Sequence, residues 1–307
     1  MISRRAFIQH SSFALAGAAC MNTYLAHGAA STGPLGLPIG IQLYTVREET
    51  AKDLNGTLEK LASYGYGEVE LAGYYGKSAK ELRAFLNGFG LSAPSAHQGL
   101  TDLLVDTQKK IDFVAELGVQ NLVVPFPAVP DNRFDKVARD APQNIENSTT
   151  LADWKWIAEQ LNKIGAMTKK AGIRTGYHNH NLEFRRIDGD MIMDKLIEWT
   201  DPQLVTIELD LGWVVAAGLD PIAYTKKHSK RVSMLHVKDV KAGVKPLVDK
   251  VKTNTTEVGS GQIDWKALFS SLDKSQIKHY FVEQENFDKP VMESVKISHD
   301  FLSKLKV

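Results

Sequence analysis

The chain has 307 residues, 43% hydrophobic and 24% charged, with a formal net charge of +1 at pH 7. That composition is ordinary for a globular protein, and the balanced charge argues against a nucleic-acid surface or an acidic partner. The length fits two domains or one α/β barrel of about 250 residues.

Residues 1–30 differ from the rest. Arg4 and Arg5 precede Phe7 and the small-residue apolar stretch SSFALAGAACM, and Gly28-Ala29-Ala30 offers a cleavage site. This is the pattern of a twin-arginine export leader, which carries proteins already folded and predicts a periplasmic location. The apolar stretch is shorter than the roughly 20 residues of a spanning helix. Cys20 is the only cysteine. It lies in the leader, so the mature chain, 31–307, has no disulfide and no thiolate ligand. Ala18-Ala19-Cys20 also reads as a weak lipoprotein signal, with Cys20 as the lipid anchor.

From Pro38 onward short β-like runs alternate with amphipathic helices. Strand 39–45 precedes helix 49–64, strand 67–72 precedes helix 78–90, and strand 91–97 precedes helix 102–117 with Gly118 at its end. Strand 119–126 is continuously apolar, as a strand buried on both faces should be. Residues 127–150, rich in Pro, Asp and Asn, break the rhythm as a long loop. Helix 151–171, strand 173–180, helix 191–200, strand 204–210 and helix 221–229 follow. The chain ends with strand 232–239, a Gly259-Ser260-Gly261 loop, helix 265–272, strand 279–285 and helix 290–305. Strict alternation implies parallel strands with right-handed crossovers, and eight units close into a single-domain (β/α)8 TIM barrel. An open doubly wound sheet would want a glycine-rich turn after its first strand; YTVREET has no glycine there.

Barrel chemistry sits at the C-terminal strand ends. Those ends carry Gln42, Tyr44, Glu70, His97, His178, His180, Glu208, Asp210, His236, Lys238, Glu283 and Glu285, while the starts are mostly apolar. Burying so many ionisable groups is costly unless they pair or hold a metal. Imidazoles and carboxylates converging on one point form the ligand set of a divalent cation. Asp210, His236 and Glu283 are the core of that set. Period two puts Glu208 on the face of Asp210, and Lys238 on that of His236. His178 and His180 share a face, so one suits a metal while the other meets the substrate. Glu183, just beyond that strand, reads as a ligand or a general base. His97, Glu70 and Lys238 are candidates for substrate contact. Trp213 either floors a sugar site or packs in the core.

The segments IGIQLYTVRE, GYGEVELAG, GYHNHNLEF, IELDLGWVVAAGLDP, LHVKD, EVGSGQIDW and FVEQE together resemble the xylose isomerase-like TIM barrel superfamily, in its sugar phosphate isomerase/epimerase branch. The fold is shared with barrel endonucleases that cut at abasic sites, but the near-neutral charge speaks against DNA. The resemblance implies one divalent ion (Mn, Co, Zn or Mg) held by four side chains from the last four strands, usually Glu, Asp, His and Glu. Carried over, the last three are Asp210, His236 and Glu283. Where the first Glu would stand this chain has His178, which favours later transition metals and moves the acid/base role to Glu183, His180 or Glu283. The implied chemistry is proton transfer next to a carbonyl, as in sugar isomerisation or epimerisation. Export, and the lack of a phosphate-cradling glycine loop, favour an unphosphorylated sugar or keto-sugar. Elimination from a 3-keto-glycoside, or sugar binding without catalysis, are the alternatives. Members of such families often form homodimers.

Overall fold

The computed structural model describes residues 31–129, 149–249 and 251–307. The twin-arginine pair, Cys20 and most of the 127–150 loop lie outside the described residues.

Eight strands form the barrel: β1 Gly40–Gln42, β2 Glu68–Leu71, β3 Ser92–His97, β4 Asn121–Val124, β5 Arg174–His178, β6 Val205–Asp210, β7 Val232–Val237 and β8 His279–Val282. All neighbouring pairs are parallel, and β1 pairs with both β2 and β8, which closes the cylinder. The helices that return the chain are α1 Leu54–Tyr64, α2 Ala79–Gly88, α3 Thr107–Leu117, α4 Leu151–Lys170, α5 Ile192–Trp199, α6 Pro221–Lys227, α7 Trp265–Ser271 and α8 Val291–Lys304. Local chemistry sets their ends. Ser78 and Glu81 form a capping box at the start of α2, which satisfies backbone donors that a helix leaves free. Gly118 closes α3 with φ 95°, a conformation that favours glycine.

The expected single-domain (β/α)8 barrel is therefore present, with shorter elements at the strand ends. The first strand stops at Gln42, because the Gln42 side chain accepts from the Tyr44 backbone N–H and turns the chain into a 3-10 segment, Leu43–Val46. The helix expected over 49–64 breaks at Asp53 into Arg47–Lys52 and α1. The one expected over 102–117 is interrupted by Asp106, at φ 55°, between a turn at Leu100–Leu103 and α3.

The barrel interior is layered. Val123, Met234 and Phe281 form a small apolar cluster inside the cylinder, separate from the larger core packed between strands and helices. Gly40 makes room for it: a Cβ there would lie 2.5 Å from Phe281 Cδ1 and 2.7 Å from the Tyr280 carbonyl. This plug is the floor on which the polar strand ends stand, since the His236 ring sits edge-on to the Phe281 ring at 6.2 Å.

Candidate active site

Strand register brings the site together. His178 on β5 lies opposite Glu208 on β6, Asp210 on β6 opposite His236 on β7, and Gln42 on β1 opposite Glu70 on β2. Alternation then turns these side chains into the barrel above the apolar plug. Two clusters result, and they share His236. In one, ligand atoms of His178, Asp210, His236 and Glu283 all lie within 4.8 Å of one another; in the other, those of Glu70, His97, Glu208 and His236 do.

The second cluster is closed by its own contacts. His236 Nε2 is 2.6 Å from Glu70 Oε2 and 3.3 Å from Glu208 Oε2, while His97 Nε2 is 2.7 Å from Glu208 and 3.1 Å from Glu70. Gln42 Nε2 and Ser95 Oγ donate to the same Glu70 carboxylate at 2.7 and 2.5 Å. Burial disfavours a charge on His97, but the Glu70 carboxylate and the hydrogen bond to Glu208 prevail and raise it to about 9. Burial likewise opposes the charge on Glu70, and His97 and His236 overcome it, holding the carboxyl well below its usual range. Two imidazoles and two carboxylates thus neutralise one another, which lets four ionisable groups stay buried.

The first cluster is less complete. His236 Nδ1 is 2.7 Å from Glu283 Oε2, but both ring nitrogens of buried His178 lack a hydrogen-bond partner. The nearest carboxylate oxygens are Asp210 Oδ2 at 3.5 Å and Glu283 Oε2 at 4.0 Å. Asp210 Oδ2 itself accepts no hydrogen bond, although Lys238 Nζ faces it at 3.0 Å. Orphaned donors and acceptors at such depth cost stability unless a ligand satisfies them. Two imidazoles and two carboxylates, converging from successive strand ends, fit a divalent cation.

Lys238 is fully buried behind this cluster. Its ammonium lies 3.1 Å from Glu283 Oε2 and 2.7 Å from Glu285 Oε1, and 4.5 Å above the Trp213 ring. Burial works against its charge, but Asp210, Glu283 and Glu285 hold the ammonium protonated far above the ordinary lysine value.

Above the clusters opens a cavity of about 560 Å³. His97, His178, His180 and Glu283 face it from the deep end, and Tyr44, Tyr74 and Phe126 from the walls. Of the residues singled out from sequence for substrate contact, Glu70, Lys238 and Trp213 are not part of this lining, and neither are the metal-ligand candidates Asp210 and His236. Glu70 and Lys238 are fully buried beneath it, and Trp213, 1% exposed, lies under Lys238 and 5.2 Å from the His180 ring. Glu183 is also fully buried away from the lining: it accepts from Tyr177 Oη at 2.7 Å and from the His180 backbone N–H at 2.9 Å. His180 does reach the cavity, and its Nδ1 has no partner in the protein. Burial, with His178 and Lys238 nearby, keeps its pKa well below that of an ordinary imidazole.

Three participants were given no role from the sequence. Glu208 is legible from Asp210 by period two, but its pairing with His97 across the barrel is not. Ser95, a small residue in mid-strand, carries no chemical signal of its own. Asp239 accepts from the backbone of Gly259, Gly261 and Ile263 and from Trp265 Nε1. It thereby ties the loop after β7 to the barrel rim, and the one available hint was its place beside Lys238.

Comparison with known proteins bears on the fold and the family. The chain is 26% identical over 248 residues to an inosose dehydratase of Clostridium beijerinckii, covering 75% of this chain and 81% of that protein. It is 32% identical over 148 residues to an inosose dehydratase of Clostridium perfringens, covering 44% and 48%. Among solved structures, a sugar phosphate isomerase/epimerase from Parabacteroides distasonis is 26% identical and superposes with a TM-score of 0.71, covering 92% of this chain and 97% of that one. The family model described as xylose isomerase-like TIM barrel matches residues 58–305, and the chain belongs to that family.

Proposed function

We propose that the protein is a divalent-metal-dependent enzyme that moves a proton on the carbon next to the carbonyl of an unphosphorylated sugar or keto-sugar. The observation that carries this reading is the cluster of His178, Asp210, His236 and Glu283, with His178 unsatisfied, at the floor of a cavity of sugar-accommodating size. These four side chains would hold the ion, and paired imidazoles suit Mn, Co or Zn better than oxygen-seeking Mg. Such an ion, when bound, supplies a Lewis acid for the carbonyl oxygen.

The chain's own residues do the rest. His180 lines the cavity and takes the proton, and no protein group engages its buried Nδ1. Glu183, by gripping the His180 backbone N–H, fixes that ring's position. His97, anchored to Glu208, presents its ring to the substrate. The lining contains no Lys or Arg among the described residues, which disfavours a phosphate group. Isomerisation and epimerisation share this first step with elimination. Relatives named inosose dehydratase, of which those from Clostridium beijerinckii and Geobacillus thermodenitrificans each cover 75% of this chain, support elimination as the second reading.

The test is deuterium exchange. The metal-loaded protein is incubated with a panel of keto-sugars in heavy water and followed by proton NMR. Loss of the signal next to the carbonyl, in the wild type and not in His180→Gln, is the expected outcome. No exchange by a fully loaded enzyme on any member of the panel would overturn the reading.

A further inference from the structure

The end of the barrel away from the mouth carries a second cavity, of about 390 Å³, among the strand starts. Asn121 opens β4, Arg174 opens β5 and His279 opens β8, and all three line it. Lys169 reaches it from the last turn of α4, and Lys278 from the residue before β8. Phe281 of the apolar plug lies between this cavity and the metal cluster. Its ring is 6.2 Å from that of His236 and stacked with that of His279 at 6.3 Å.

Charge is segregated here. Three cations, Lys169, Arg174 and Lys278, meet at the cavity, and among the described residues its lining has no Asp or Glu. The chain as a whole carries a net charge of only +1. The side chains of Arg174 and Lys169 have no hydrogen bond or ion pair among the described residues. Lys278 Nζ donates to the Ser275 carbonyl at 2.6 Å and meets no carboxylate. Two nearby carboxylates are committed elsewhere: Glu68 Oε2 lies 2.9 Å from His279 Nδ1, and Asp201 Oδ1 accepts from the Gln203 backbone N–H at 2.7 Å. Arg231, bonded to the Val205 carbonyl at the start of β6, feels the excess. Burial lowers its pKa, Asp201 opposes the shift, and Arg174 adds to it.

A helix C-terminus attracts a lysine, which accounts for Lys169. It does not account for Arg174 and Lys278, at strand starts, where like charges repel. The floor offers polar groups: Asn121 and Ser233 are each 7% exposed, and the Asn121 amide makes a long 3.4 Å contact with the Pro94 carbonyl.

We propose that this lower cavity binds a phosphoryl group, as inorganic phosphate or as the phosphomonoester of a small metabolite. A guanidinium offers phosphate two parallel hydrogen bonds, and ammonium groups add point charge. At about 30 Å³ of liquid per water, 390 Å³ corresponds to roughly 13 waters, room for a phosphate and a small organic body. The two ends of the barrel then take different ligands, since the mouth has no Lys or Arg in its described lining. This site stands independently of the function proposed above.

Calorimetric titration of the metal-loaded protein with inorganic phosphate and with glucose 1-phosphate tests it. At least one should bind with a Kd of about 1 mM or tighter, more weakly as salt is raised. Tighter binding of the ester by about tenfold would identify an organic phosphate as the ligand, and equal affinities would identify phosphate itself. Arg174→Gln and Lys278→Gln should each raise Kd about tenfold, Arg174→Lys should recover part of the loss, and His178→Ala should leave Kd unchanged. Neither Arg174 nor Lys278 pairs with a carboxylate, so both variants should fold, which circular dichroism checks. Affinity unchanged in Arg174→Gln and Lys278→Gln but lost in His178→Ala would put the phosphate on the metal and overturn the site. No binding of either probe at about 10 mM would overturn it too.

Discussion

Lys238 Nζ lies 3.0 Å from Asp210 Oδ2, and both side chains are fully buried. The lysine stands in for part of the positive charge that the carboxylates of the first cluster require. Replacing it with the similarly shaped Met removes the nearest cation from Asp210 and leaves Glu283 with His236 alone. Removing one partner of a buried ion pair costs about 3–5 kcal/mol, so metal-free Lys238→Met should be less stable than wild type by that order. Saturation with Zn or Mn should recover most of the loss, because a cation then compensates the same oxygens. Urea denaturation with and without metal checks this; an identical deficit in both conditions would count against the coupling.

His178 offers a cleaner test of the metal centre. Its ring nitrogens bond to nothing in the protein, so truncation orphans no protein group. His178→Ala should therefore stay folded while metal affinity drops by at least about tenfold. Elemental analysis of wild type should give close to one equivalent of a transition metal. Full occupancy in the variant would exclude His178 as a ligand, and circular dichroism would show whether the barrel had survived.

His180→Gln separates proton transfer from metal holding. General acid–base groups typically contribute about 10²–10⁴-fold in rate. Turnover should fall by that order with metal content unchanged, and KM should move little. Unchanged turnover would shift the acid/base role to a carboxylate facing the cavity, with Glu283 and Glu285 the candidates.

Much of this architecture could be read from sequence because barrel strands are short and periodic. Apolar runs alternating with helical stripes marked every barrel unit, and the polar residues gathered at one end of the strands marked the mouth. Boundaries erred where side chains compete with the ladder: Gln42 caps the Tyr44 N–H and ends β1 early, and Asp106 at positive φ splits a helix. Depth was less legible than direction. Period two places Glu70, Lys238 and Glu283 on inward faces, yet it cannot tell which of them reaches the cavity. That depends on the cross-barrel contact of His97 with Glu208 and on the pairing of Lys238 with Glu285 just beyond the ends of the neighbouring strands β7 and β8. Trp213 shows the same limit. Its helical turn begins at Asp210, whose side chain accepts the Trp213 N–H, and this swings the ring beneath Lys238.

Glu183 should leave a pH signature in stability. Burial outweighs its hydrogen bonds from Tyr177 and His180 and raises the carboxyl from 4.5 to about 7. The folded state therefore binds this proton more tightly than the unfolded chain does. Stability from this group is greatest below pH 4.5, declines as the unfolded carboxyl ionises, and reaches its full cost above about pH 7. At 1.36 kcal/mol per pH unit the window is worth about 3 kcal/mol. Gln at this position cannot ionise, and its amide can still accept from the His180 N–H while donating to Tyr177 Oη. The stability difference, wild type minus Glu183→Gln, should thus become less favourable to wild type by about 3 kcal/mol between pH 4 and pH 8. Urea midpoints across that range measure it, and a difference that stays flat with pH would mean that the Glu183 carboxyl is ionised throughout.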